Sequence, residues 1–392
     1  MTVIKAPSRV YAGRDARLAV LPALRTAGLR RVGVVLDATL AGQVLVQDLL
    51  IRELGHAGLA TTIVHPVQGG CVPDWDDLAA CLSAFRGHSL DVLIGIGGGR
   101  TLDLAKGVAA LLGNPGWQPS RTVEAIQPGV PLVLLPTTGG SGSEASREAM
   151  FVDAGHGHID RLTGPSLGAW ASVLDPALTT SCPRNATTAA GLLALAHSIE
   201  SFALADGASL VRDLASTAFR KLVEFLPAAI ESPHEIAARE QVLMASHFAG
   251  LTRAATGGGP ATAIAAVLTA RYRDLPFGLA SGLALRQLVR LNQQQGFRGY
   301  ALLCEGLERG RARELGRVLD VLYARLGVPS NLAEWGLMAA DVPTLLTRLT
   351  ATGANQLRNP KPLAPSSLAA CLYGLAAEPR EPRLAIAAGH HA

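Results

Sequence analysis

Along the first 180 residues, short continuous apolar runs alternate with stretches whose apolar side chains recur at helical spacing. RVGVVLD (Arg31–Asp37), LATTIVH (Leu59–His65), DVLIGIG (Asp91–Gly97) and PLVLLPTT (Pro131–Thr138) read as strands. Uninterrupted runs of this kind belong to parallel strands covered on both faces. Between them, Leu40–Leu54, Trp75–Phe85 and Thr101–Leu112 carry helical spacing. Strand alternating with helix predicts an α/β doubly wound parallel sheet. After Trp170–Pro183 the strand signals fade and helical spacing takes over, as in Leu192, Leu195, Ile199 and Phe202. The expected division is an α/β domain over 1–180 and an all-α domain over 181–392, with a poorly ordered tail past Pro379 that includes His390 and His391.

The chain has 392 residues, 49% of them hydrophobic and 4% aromatic, with alanine, leucine and glycine prominent. That composition favours tightly packed helices. The net charge of +4 comes mostly from scattered arginines without a basic block, so no nucleic-acid partner is expected. Cys71, Cys81, Cys182, Cys304 and Cys371 lie far apart with no CxxC, against a zinc knuckle or disulfide framework. The N-terminus lacks a signal-peptide core, and no apolar run reaches the ~18 residues of a membrane span. A soluble cytoplasmic protein with no membrane partner is expected.

Two glycine-rich loops follow apolar runs: GIGGGRTLDLAK (Gly95–Lys106) and LLPTTGGSGSE (Leu134–Glu144). Glycine lets backbone N–H groups approach a phosphate, and a helix N-terminus behind the loop adds a favourable dipole. Gly97, Gly98 and Gly99 fit that role, with Thr137, Thr138 and Ser141 supplying hydroxyls from the second loop. An ordinary tight turn is the plain alternative for the first loop. Asp37, closing an earlier strand, can accept from an adenosine ribose hydroxyl or cap the Thr39–Leu40 helix. Its charge favours NAD(H) over NADP(H).

GGGRTLDLAK resembles the GGGSxxDxAK loop of the iron-containing alcohol dehydrogenases, a group that includes maleylacetate reductases and is related to dehydroquinate synthase. PTTGGSGSE, LDPALTTSCP and GLLALAHSIESF resemble that family's PTTxGTGSE, DPxLTxxLP and GMDALTHAIEAY motifs. The resemblance implies a Rossmann-like dinucleotide-binding domain, a nicotinamide cofactor held also by Asp103, and a homodimer or higher homo-oligomer. Arg100 replaces the family's small hydroxyl residue, and a cation there can pair with a cofactor phosphate.

The resemblance also implies a metal held by an Asp and a His four apart on one helix face, and by two further histidines. Here the Asp position is Leu193 and only His197 remains. The PHG histidine is Phe277, the ligand position fourteen residues earlier is Ala263, and a further pocket histidine falls at Val267. No histidine lies between His247 and His390. One imidazole does not hold Fe²⁺ or Zn²⁺, so no catalytic metal is expected.

The resemblance makes His197 the candidate proton donor, a core histidine bonded to a carbonyl being the alternative. Arg271, Tyr272, Arg273 and Asp274 form a polar cluster before Pro276; Tyr272 and Arg273 are candidates for proton transfer and carboxylate binding, a solvated loop being the alternative. His247 and Arg253 are weaker candidates, and His156-Gly157-His158 reads as a hairpin turn rather than a metal site. The expected function is a metal-independent NAD(P)H-dependent reductase of an activated small molecule, such as an enone, imine, iminium or polarised ketone, with a role in secondary metabolism compatible. A non-redox cyclase or lyase on the same scaffold, or a nucleotide-binding pseudoenzyme, stays open.

Overall fold

The computed structural model describes residues 4–66, 69–114, 128–205, 209–305, 307 and 314–376. Strands β1 (Val10–Ala12), β2 (Arg31–Leu36), β3 (Ala60–Val64), β4 (Val92–Gly97), β5 (Leu132–Pro136) and β8 (Ala171–Leu174) form one sheet. Its order is β1-β8-β5-β4-β2-β3, and every pairing is parallel. β6 (Glu148–Asp153) and β7 (His158–Thr163) form a separate antiparallel hairpin. His156, Gly157 and His158 stand at its turn, as expected.

Alternation along the strands explains why the sheet is covered twice. Val32, Val34 and Leu36 of β2 pack with Val20 and Leu24 of α1 (Ala16–Thr26). Val35 and Leu93 face Leu78 of α4 (Trp75–Ala84) and Leu102 and Ala105 of α5 (Gly99–Leu112). The chain leaves β2 for β3 on one side, then returns across β2 to β4 on the other. The strand order therefore reverses between β2 and β4, and a crevice opens beyond their carboxyl ends. Asp37 and Gly97–Gly99 stand there.

The helix expected over Leu40–Leu54 is broken. A 3₁₀ turn (Ala38–Leu40) is followed by α2 (Val44–Gln47), a π-helical stretch (Asp48–Glu53) and α3 (Leu54–His56). The wider turn brings Leu54, five residues after Leu49, onto the same buried face as Leu49 and Val46. A uniform 3.6-residue period would not align that spacing.

The second half is helical: α6 (Arg184–Leu204), α7 (Ser209–Glu231), α8 (Ile236–Thr256), α9 (Pro260–Arg271), α10 (Phe277–Gln294), α11 (Tyr300–Cys304), α12 (Leu315–Leu326), α13 (Val342–Thr350) and α14 (Pro365–Leu375). α6 is buried on every side from Gly191 to Phe202, because α7, α8, α9 and α10 surround it. Small residues make this possible. A Cβ on Gly282 would stand 2.8 Å from Leu192 Cβ, and one on Gly278 would strike the Ala189 carbonyl. Among the described residues, no helix is long and apolar enough to cross a membrane. The tail past Pro379, with His390 and His391, lies outside the described residues.

Candidate functional site

The first glycine loop turns β4 into α5. Gly97 has φ 158°, and a Cβ there would lie 2.7 Å from Thr101 Cβ and Oγ1 and 3.0 Å from Asp37 Cβ. Gly98 is the N-cap of α5, in extended backbone without a side-chain cap. The first-turn amides of α5 thus lack intrahelical acceptors and carry the positive end of the dipole. A Cβ on Gly98 would meet only Thr138, at 3.6 Å, so this cradle is open and suits a pyrophosphate. Asp37 Oδ1 accepts from Thr39 N (3.0 Å) and Thr39 Oγ1 (2.8 Å), which makes it the cap of the following 3₁₀ turn. Its Oδ2 has a longer bond, 3.5 Å from Thr101 Oγ1, at the crevice where an adenosine ribose would sit.

Arg100 turns away from this loop. Its guanidinium donates to Asp77 Oδ2 at 2.6 Å, beside the capping box that Asp74 and Asp77 build at the start of α4. Asp103 is buried with both oxygens engaged, Oδ1 by Ser143 Oγ (2.6 Å) and Oδ2 by Met150 N (3.0 Å). It ties α5 to the second loop and to β6.

The second loop's glycines serve packing. A Cβ on Gly139 would stand 2.7 Å from Val242, and one on Gly140 would stand 2.6 Å from Ala190 Cα. Gly142 has φ 60°, and a Cβ there would stand 2.5 Å from Gly250 Cα. The loop is pressed onto α6 and α8, and His247 Nδ1 adds a 3.1 Å contact with Glu144 Oε1. Thr137 N donates to Gly97 O at 3.0 Å, joining the two loops. Ser141 Oγ accepts from Ser143 N at 3.2 Å.

Below this loop lies a small cavity. Ser141, Ser143 and Asp103 form its loop side; Leu193, His197, Thr262 and Phe277 form its helical side. Glu148 and Arg161 of the hairpin and Arg253 of α8 complete it. Glu148 Oε2 lies 2.8 Å from Arg253 and 3.7 Å from Arg161. Burial opposes ionisation of Glu148, but Arg253 and then Arg161 outweigh it and hold the carboxyl below its ordinary range. Burial, then the neighbouring Arg253, brings Arg161 down to about 10, still protonated at neutral pH.

His197 is buried in this wall, and its Nδ1 has no hydrogen-bond partner among the described residues. Burial first, then Arg253 and Arg161, hold its pKa well below the usual histidine value. A neutral imidazole can donate a ring N–H, but it carries no surplus proton at neutral pH.

Tyr272 and Arg273 stand elsewhere. Neither lines the cavity. Tyr272 caps the end of α9, with the Arg271 guanidinium 5.5 Å from its ring centre. Burial and the Asp341 carboxylate raise its phenol pKa, against Arg271. Arg273 reaches Asp74 Oδ2 at 3.2 Å, and its carbonyl accepts from Cys71 N at 3.4 Å. The polar cluster braces the α9–α10 turn against α4. Sequence reasoning missed Glu148 and Arg161. The turn signal at Gly157 was available, and extending it into strands puts Arg161 on the face of Ile159, but HIDRLT carries no apolar alternation to announce the strand.

The metal implied by the resemblance requires several donors converging on one point. Leu193 and Phe277 are in the cavity wall without donor atoms, and Ala263 is buried in α9 with none. His197 brings one imidazole, two guanidiniums face the same space, and the carboxylates lining it are engaged, Asp103 by Ser143 and Met150 and Glu148 by Arg253 and Arg161. This donor set does not fit a divalent transition ion. Among the described residues, one cluster of three metal-capable side chains occurs, Asp153, His158 and Asp160 in the hairpin. Its groups are engaged by one another, by His156 and by Trp75 Nε1.

Comparison with known proteins agrees with this architecture. The profile of the iron-containing alcohol dehydrogenases matches residues 7–176, and that of the family's C-terminal region matches 187–373. The probable alcohol dehydrogenase EutG of Escherichia coli (strain K12) is 30% identical over 81% of this chain and 80% of its own length. The NAD-dependent methanol dehydrogenase of Bacillus methanolicus is 28% identical over 88% of this chain and 92% of its own. A crystal structure of 1,3-propanediol oxidoreductase superposes with a TM-score of 0.87 and 24% identity, covering 95% of this chain and 99% of that one. With both halves matched in order, this chain belongs to the iron-containing alcohol dehydrogenase family.

Proposed function

We propose that this member of the family is a nicotinamide-dependent reductase that works without a bound transition metal, on a small substrate already activated as an enone, an imine or iminium, or a polarised ketone. One observation carries the reading: the cavity under the glycine loops sets a lone neutral imidazole, His197, among Leu193, Phe277 and two guanidiniums. The crevice at β2 and β4 supports nucleotide binding through the amides of α5, Asp37, Thr138 and Ser141. Asp37 and the NAD-dependent relative both favour NAD(H) over NADP(H). The same reading takes 1–180 as the cofactor domain and 181–392 as the helical domain, with a homodimeric or larger assembly, cytoplasmic, in secondary metabolism.

A bound dihydronicotinamide would supply the hydride. The protein's part is positioning and exclusion of water. Leu193 and Phe277 keep the reacting face apolar. His197 offers a hydrogen-bonding ring beside the oxygen or nitrogen that gains charge, and solvent provides the net proton. Without a Lewis acid, unactivated alcohols are poor substrates in the oxidative direction.

Titration with NADH and NADPH, followed by nicotinamide fluorescence, tests the reading together with metal analysis of the purified protein. Binding of NADH, metal well below stoichiometric and oxidation of NADH by activated carbonyls are expected. Failure to bind either nucleotide sinks the reductase reading, and stoichiometric iron or zinc sinks the metal-free part. Nucleotide binding with no turnover of any such substrate marks a pseudoenzyme; turnover without nucleotide oxidation marks a cyclase or lyase.

A further inference from the structure

The cavity's two guanidiniums are incompletely paired. Arg253 and Arg161 share a single oxygen of Glu148, at 2.8 Å and 3.7 Å. Behind them Lys106 is fully buried, donating to Ser146 Oγ (3.1 Å) and the Glu148 carbonyl (2.6 Å) and standing 3.8 Å from Asp103. Burial lowers the Lys106 pKa, and Asp103, Glu144 and Glu148 all oppose that shift, so the incomplete pairing lies at the two guanidiniums. Among the described residues Glu148 is the one carboxylate in an ion pair with either guanidinium, and Glu200 acts on both only at longer range. Glu144 is held against His247 at 3.1 Å, and Glu200 Oε1 accepts from Ala261 N while its side chain lines a different cavity. A guanidinium removed from water without a full partner is costly, and a second anion would offset that cost.

A neighbouring outer cleft has the same sign. This outer cleft is lined by Lys5, Arg147 and Thr163, and Glu148 lines both it and the inner cavity. Positive side chains beside a cavity raise the local concentration of anions. Guanidinium forks match the paired oxygens of carboxylates and related oxyanions.

We propose that Arg161 and Arg253 form an anion subsite for the substrate, so that the molecule reduced beside His197 is a small carbonyl or imine compound bearing a carboxylate, sulfonate or phosphonate group. This rests on the reductase reading. In the step, the dihydronicotinamide C4–H bond breaks and a C–H bond forms at the substrate carbon. The π electron pair moves to oxygen or nitrogen, which takes a proton from water; the nicotinamide is oxidised and the substrate reduced. The charged substituent stays on the two guanidiniums throughout.

The test compares succinic semialdehyde, sulfoacetaldehyde and phosphonoacetaldehyde with uncharged butyraldehyde, using NADH and the full-length protein. At least one charged aldehyde is expected to exceed butyraldehyde in kcat/KM by about 100-fold. Arg161→Gln and Arg253→Lys should raise KM for that aldehyde by about tenfold, with kcat less affected. Glu148→Gln, which frees both guanidiniums, should lower it; lost packing would not produce that opposite sign. NADH fluorescence checks that each variant is folded. Equal kcat/KM for charged and neutral aldehydes, or an unchanged KM in Arg161→Gln, overturns the proposal. If no aldehyde oxidises NADH, calorimetric titration with acetate, methanesulfonate and methylphosphonate separates the two ideas. Binding that Arg161→Gln abolishes supports the subsite independently of the reductase reading, and no binding by any of the three overturns the subsite.

Discussion

Glycines in the two loops serve different ends, and single substitutions separate them. Gly98 has room for a Cβ, so Gly98→Ala costs the fold little but puts a methyl where a phosphate must approach the α5 amides. The expected outcome is a melting temperature within about 2 °C of wild type and NADH binding weakened about tenfold. Gly142 has φ 60°, and a Cβ there would meet backbone atoms of Gly250 and Ser246 at 2.5 and 2.7 Å, so Gly142→Ala should cost ~2–4 kcal/mol of stability. Denaturation curves and NADH titrations on both variants check this; equal loss of stability in the two would refute it. Glu200 gives a second prediction. Burial, opposed by the Ala261 amide and by Arg253, raises its pKa from 4.5 to about 7. The unfolded carboxyl ionises well before the folded one, so its contribution is fully present below pH 4.5 and is lost as pH rises toward about 7. Glu200→Gln keeps an acceptor for the Ala261 amide and does not titrate. Relative to wild type it should gain on the order of 3 kcal/mol between pH 5 and pH 8 in urea denaturation. A constant difference between the two proteins across that range would exclude this role.

The connection from sheet to helices depends on one carboxylate. Asp175, fully buried after β8, caps the 3₁₀ turn Pro176–Thr179 by accepting from Ala177 N at 3.1 Å. Its other oxygen takes Arg17 Nη1 at 2.7 Å and Arg17 N at 3.3 Å, joining α1 to the strand's end. Asp175→Ala leaves a buried guanidinium with only the exposed Asp15, so a loss of about 3 kcal/mol is expected by urea denaturation. A loss below about 1 kcal/mol would show that the turn holds without its cap. Elements of this kind differ in how far the chain announces them. β2, β4 and β5 were legible because strands buried on both faces need unbroken apolar runs. The Leu40–Leu54 helix was misread because its apolar spacing suits a π-helical stretch rather than a uniform α-helix. The hairpin was legible only at its turn. β7 keeps Asp160 and Arg161 for hydrogen bonds and charge pairs, so it lacks the apolar alternation that marks a half-buried strand.

Contacts across the second loop couple the cofactor crevice to the helical half, and this explains why half of the candidate site was hidden in the sequence. Gly97–Gly99 and Asp37 are local features of strand ends, readable in place. The cavity instead draws Arg161 from a hairpin, Arg253 from α8, His197 from α6 and Phe277 from α10, four segments that spacing alone does not bring together. Their common support is the loop Gly139–Glu144, which touches α6 at Ala190 and α8 at Val242, Gly250 and His247. Nucleotide bound over α5 should therefore stabilise more than the sheet. NADH at about 100 times its Kd adds ~2.7 kcal/mol by mass action alone. If the loop transmits that gain, hydrogen exchange should slow in the α8 backbone around Ser246–Arg253 as well as in β4 and α5, although α8 lies behind the loop. His247→Ala removes the contact with Glu144 and should weaken the protection of α8 while leaving that of α5. Protection confined to β4 and α5 in the wild-type protein would mean that the two halves open independently, and that the loop's glycines pack the domains without coupling them.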